Sequence, residues 1–80
     1  MPNLNSRRRD PSLVALGSAI RRLREAASIS QERLALLADV DRSYMGRVER
    51  GDNAVAVLTL LRIAAAMGVT AATLMEQAGL

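Results

Sequence analysis

Arginine is the one residue type in this chain placed to carry chemistry. All eleven basic residues are arginine against eight acids, and the 80 residues include neither histidine nor cysteine. That removes the commonest general base and the thiolate, so no nucleophile–base pair and no metal-ligand spacing can be drawn. The acids are spread over helix caps and outer faces, which makes an enzyme the weakest of the function classes; no cofactor, metal or small-molecule ligand is expected. The net charge of +3 fits a polyanion partner. It is unevenly placed: residues 1–53 hold ten of the eleven arginines and seven of the eight acids, hence the whole excess. The front half therefore reads as a charged working surface, the back half as packing or a subunit contact.

Eight of these charges lie within residues 31–51, QERLALLADVDRSYMGRVERG. Two short helical patterns, Gln31 to Leu37 and Arg42 to Arg50, flank a tight break at Ala38-Asp39-Val40. This is the pattern of a helix-turn-helix, whose first helix braces a second that lies in a DNA major groove. Ser30 is placed to cap the first of these helices and Asp41 the second. The turn wants a positive φ, which Asp39 tolerates at some strain.

The remaining elements must hold that pair. Residues 1–10 read as a flexible basic arm; Arg7-Arg8-Arg9 could track phosphates or enter a minor groove, or could be a solvated tail. Residues 11–80 read as one domain, since 80 residues cannot supply two cores. A first helix starts at Asp10-Pro11-Ser12 and carries Leu13, Leu16, Ile20, Leu23 and Ala27 on one face. Gly17 on that stripe lets a neighbouring helix come close, and Arg24 at its edge needs a partner. Gly51-Asp52-Asn53 ends the third helix. Val57, Leu60, Leu61, Ala64 and Met67 form the inner face of a fourth, with Leu58, Ile63 and Val55 off the stripe. Thr70 caps a fifth containing Leu74, Met75 and Ala78. No strand signal competes, so the fold class is all-α. Neither a signal peptide nor a membrane-spanning run is apparent, and the lack of cysteine suits a reducing cytoplasm.

On Gln31 to Ala35, Ala38-Asp39-Val40, Ser43-Tyr44-Met45 and Val48-Glu49-Arg50-Gly51, the chain resembles the Cro and lambda-repressor-like (XRE) helix-turn-helix family. Flanking segments agree: Leu16-Gly17, Ile20-Arg21 and Leu23-Arg24 before the motif, Leu60 to Ala64 and Met67-Gly68-Val69 after it. The resemblance covers about residues 13–78. It implies a five-helix lambda-repressor-like domain with helices two and three as the motif. Leu34, Ala35, Ala38, Val40, Met45 and Val48 are core, Ala35 being small where the two motif helices cross.

The resemblance also implies a double-stranded DNA site. Gln31 would stand near the phosphate backbone at the start of helix two. The outward residues of helix three, Arg42, Ser43, Gly46 and Arg47, would face base edges. Arginine pairs two donors with guanine O6 and N7, although Arg42 and Arg47 could hold phosphates instead. Tyr44 could donate to a phosphate or pack at the helix edge, Arg33 and Arg50 read as solvated or phosphate-facing rather than specific, and Asn53 begins a loop that passes the DNA backbone. Arg24 and Glu49 match the family's structural ion pair. Three departures stand out: Asp39 replaces the turn glycine, Leu36 and Leu37 replace polar residues, and the loop from Asp52 to Ala56 lacks basic residues. Excess apolar residues in helices four and five suggest a homodimer through them, the alternative being a monomer with an oily surface. Two readings follow: a dimeric transcriptional regulator recognising a short inverted repeat, or a protein-interaction module that keeps the fold with little base reading.

Overall fold

The computed structural model describes residues 9–80 and contains five helices: α1 Pro11–Ala26, α2 Gln31–Leu37, α3 Arg42–Arg50, α4 Val57–Ala66 and α5 Ala71–Gln77. Among the described residues there is no strand, and no single helix is long and apolar enough to cross a membrane.

Local chemistry sets the helix ends. Asp10 accepts a hydrogen bond from the Ser12 amide at 2.8 Å, with Pro11 in the first turn where a missing N–H costs nothing. Ser30 accepts from the Arg33 amide at 3.0 Å, and Thr70 from that of Thr73 at 3.0 Å. Asp41 occupies the cap position of α3 but makes no side-chain cap bond, and Ala56 before α4 has no side chain to make one. Asp39 takes the expected left-handed conformation, φ 59°; Ser28 takes it too, φ 58°, in the α1–α2 turn where the sequence offers no glycine.

The core is aliphatic. Ile20, Leu34, Met45, Val48, Ile63 and Leu74 are its largest fully buried side chains. α1 packs on α3 and α5, α2 on α3 and α4, and α4 on α5. Burying a side chain of that size stabilises by roughly 1.5–3 kcal/mol, so these contacts outweigh any cap. At Gly17 α1 lies directly on the α3 backbone: a Cβ there would overlap the Val48 carbonyl oxygen and stand 2.6 Å from that of Glu49. Gly51 closes α3 with φ 80°, and a Cβ on it would meet Val14 of α1 at 2.8 Å.

Three expectations from the sequence need correcting. Ala27 is exposed as the C-cap of α1, whereas Ala19 is buried. The inner face of α4 is Leu60, Ile63, Ala64 and Met67, with Ile63 fully buried while Val57 is 72 % and Leu61 49 % exposed. Nearly every side chain of VLTLLRIAAA is apolar, so hydropathy alone does not set its phase. Third, Arg9 and Asp10 belong to the folded domain, since the Arg9 amide donates to the Gly51 carbonyl at 2.7 Å and Asp10 caps α1. Arg7 and Arg8 lie outside the described residues.

Candidate nucleic-acid interface

The surface of α3 divides into a braced side and an open side. Met45 and Val48 face inward and are fully buried. Arg42 and Ser43, in the first turn, are exposed, and among the described residues Arg42 has no ion-pair partner. Its guanidinium is thus available to an external acceptor.

Arg47, one turn on, is half-buried and held from two sides. Its guanidinium carbon stands 5.9 Å from the centre of the Tyr44 ring, near the outer range of a cation–π contact. Asn53, its amide turned so that both ends are satisfied, accepts from Arg47 Nε at 3.1 Å and donates to the Asp52 carbonyl at 3.0 Å. The terminal nitrogens of Arg47 keep their outward donors. Asn53, expected to contact a DNA backbone, is therefore engaged within the chain.

Arg24 and Glu49 form the expected pair. Arg24 Nε donates to one Glu49 carboxylate oxygen at 2.7 Å and Nη2 to the other at 3.1 Å. The third nitrogen donates to the Ile29 carbonyl at 3.1 Å. Their side chains are 12 % and 4 % exposed, so water shields the pair poorly. The hydrogen bond to Glu49 raises the Arg24 pKa above its already high ordinary value, against the lowering effect of burial.

Gln31 stands at the first position of α2 as expected, but its side chain turns back: Nε2 donates to Glu49 Oε1 at 3.0 Å. Glu49 therefore takes bonds from both α1 and α2, tying α3 to the two helices that brace it. Gly46 lies on the outward side of α3, as expected, but is buried there by other side chains. Arg50 and Gln31 lie across it: a Cβ at Gly46 would stand 3.2 Å from Arg50 Nη1 and 3.6 Å from Gln31 Oε1.

One groove on this surface is lined by Gln31, Arg42, Ser43, Gly46, Arg47 and Arg50. It gathers five of the residues singled out in the sequence; Tyr44 and Asn53 stand beside it through Arg47. Arg50, read from the sequence as solvated or phosphate-facing, joins them because it follows Gly46 by four positions, one helical turn along the same face. Three arginines at one mouth, with Ser43 and Gln31 as neutral donors, make an anion-accepting surface.

Comparisons with known proteins agree with this fold. A family model described as helix-turn-helix matches residues 20–74. A control protein of a Mycoplasma species, C.MunI, is 34% identical over 58 residues, covering 71% of this chain and 78% of that protein. The crystal structure of the restriction-modification controller protein C.AhdI from Aeromonas hydrophila superposes with a TM-score of 0.76 at 44% identity, covering 78% of this chain and 94% of that one. That of the clp gene regulator ClgR from C. glutamicum superposes at 0.83 with 28% identity, over 85% of this chain and 87% of that one.

Proposed function

The chain belongs to the helix-turn-helix family of the Cro and lambda-repressor (XRE) type, and from that premise we propose that it binds double-stranded DNA sequence-specifically as a small dimeric transcriptional regulator. The observation that carries this reading is the division of α3. Its inner face is locked by Met45, Val48 and the Glu49 bonds, while Arg42, Ser43 and Arg47 stand at an open groove. A rigid helix presenting forked donors is what base readout in a major groove requires. Arg42 and Arg47 read guanine edges, Ser43 and Tyr44 contact bases or backbone, and Gln31 reaches a phosphate when DNA offers an acceptor better placed than Glu49. Asn53 acts by holding Arg47.

The exposed apolar face of α4, formed by Val57, Leu58 and Leu61, joins two copies. A two-fold pair sets the recognition helices about 34 Å apart, one turn of DNA, so the operator is a short inverted repeat. Likeness to control proteins favours regulation of a restriction–modification operon over the other roles open to a domain this small. Such work places the protein in the cytoplasm.

The test is selection from a random duplex library followed by fluorescence anisotropy on the winning and a scrambled duplex. Arg42→Ala and Arg47→Ala should each cost about 1–3 kcal/mol on the selected duplex and relax specificity at one position. Uniform weak binding to every duplex would remove the claim of specificity.

One observation favours a second reading, a protein-interaction module: Leu36 is 69 % and Leu37 47 % exposed on the outer face of α2. It gains ground if a protein partner in cells is retained by the Arg42→Ala, Arg47→Ala double variant while DNA binding is lost.

A further inference from the structure

Beside the groove that Arg42 and Arg47 share lies a second one, lined by Arg21, Arg24, Gln31, Gly46, Glu49 and Arg50. The two share Gln31, Gly46 and Arg50, so they are the two flanks of a single ridge. From this geometry we infer that the second groove seats a DNA backbone phosphate, gripped by Arg21 from α1 and Arg50 from the end of α3. The inference rests on the DNA-binding reading above and adds two residues that reading does not use.

The charges in the groove point this way. Three arginines line it against one acid, Glu49. Glu49 is already satisfied by both donors of Arg24 and by Gln31 Nε2. Arg24 is spent on that pair, which leaves Arg21 and Arg50 as the positive charges facing the opening. Neither guanidinium is fully engaged by its own partner. Arg21 lies 3.5 Å from Glu25, with both side chains more than half exposed. Arg50 donates to Asp52 through Nε at 3.1 Å; the arginine side chain is 59 % exposed and the aspartate 14 %, so this bond is better held, but it engages only Nε and leaves the two terminal nitrogens of Arg50 for another acceptor. An exposed pair such as Arg21–Glu25 contributes little and yields readily to a better acceptor. A phosphate is one, because a guanidinium can meet it with two parallel donors.

Gly46 explains the shape. A Cβ there would stand 3.2 Å from Arg50 Nη1, so the bare backbone at Gly46 gives that guanidinium room to lie over α3. Arg21 reaches the same opening because it precedes Arg24 by three positions, nearly one helical turn. A duplex touching Arg42 and Arg47 with its base edges must run its backbone past one flank of α3. The Arg21–Arg50 groove is the flank that carries unspent charge.

The test measures affinity by anisotropy for a library-selected duplex and its scrambled form, between 50 and 200 mM salt, for the full chain and its Arg21→Ala, Arg50→Ala and Arg21→Lys variants. Each alanine variant should weaken both duplexes by the same factor. Its log–log salt slope should fall by about 0.9, so that it loses about 3.5-fold less affinity over that salt range than the parent. Arg21→Lys, which keeps the charge, should retain the parent slope. Circular dichroism melts of these surface variants should match the parent, so a change in slope reports contact rather than unfolding. The inference is overturned if the alanine slopes equal the parent's, or if preference between the duplexes falls while the slope holds. Failure of the underlying reading looks different, because it is seen in the parent: no duplex preference and no salt dependence. If the parent lacks preference yet the alanine slopes fall, the phosphate site stands and base reading does not.

Discussion

Removing one member of the Arg24–Glu49 pair should damage the fold far more than removing both. The pair is bonded through two nitrogens and two oxygens, with side chains 12 % and 4 % exposed. In Glu49→Leu, Arg24 keeps only the Ile29 carbonyl and is left with a poorly hydrated charge. In Arg24→Met, Glu49 keeps only Gln31. Breaking a buried pair in this way costs about 3–5 kcal/mol. A domain of this length has a stability of about 4–12 kcal/mol at roughly 0.05–0.15 kcal/mol per residue, so each single variant loses a large part of it. For a chain this small, about 4–8 °C of Tm accompanies each kcal/mol, giving a fall of about 12–40 °C. The double variant Arg24→Met, Glu49→Leu removes both desolvation penalties and should recover most of that loss, ending near neutral or better. Thermal and urea unfolding followed by circular dichroism would measure the cycle. Two results would refute the reasoning: single variants costing under about 1 kcal/mol, as a solvated pair would, or a double variant as unstable as the two singles combined. Because the Arg24 pKa is raised on folding, its share of this stability is present at every pH below the ordinary arginine value. It is lost only as pH climbs through the still higher folded value, so melts across the neutral range should show no loss from this side of the pair.

Gly17→Ala should destabilise by about 1–3 kcal/mol, since the new methyl must push α1 off the Val48 and Glu49 carbonyls of α3. An unchanged urea midpoint would mean the helices are not in that contact. Leu58→Glu with Leu61→Glu should yield a monomer in sedimentation equilibrium with its helical dichroism intact, since both side chains are about half exposed or more and outside the core. If the parent sediments as a monomer, or the variant still pairs, the α4 face is not the joint.

What the sequence disclosed depended on how many physical signals converged on each stretch. α2 and α3 have the limits read from the sequence, because Ser30, Asp39 and Gly51 each mark a boundary by a separate mechanism. Arg24 and Glu49 were legible because a charge at the edge of an apolar stripe demands a partner. The phase of α4 was not. With apolar residues nearly all round, only the packing of α4 on α2 and α5, with Ile63 and Ala64 buried, distinguishes the inner face from the one carrying Val57, Leu58 and Leu61. Gly46 failed for a different reason: its outward direction says nothing of long side chains arriving from other turns. The placement of Arg50 and Gln31 over it is a three-dimensional fact.

These contacts concentrate support for α3 at its C-terminal half. Gly17 meets the backbone of Val48 and Glu49, Arg24 and Gln31 bind the Glu49 side chain, and Val14 and Arg9 close on Gly51. The N-terminal turn, with Arg42 and Ser43, receives no such clasp, and Asp41 does not even cap it through its side chain. A helix fixed along one half and open along the other can enter a groove end-on without shedding contacts that hold the domain together. It also separates the consequences of substitution: changes at Gly17, Arg24 or Glu49 should act on stability and orientation together. Changes at Arg42 or Ser43 should act on binding while the melting temperature stays put. That separation follows from where α1 crosses α3, a crossing that only a residue without a side chain at position 17 permits.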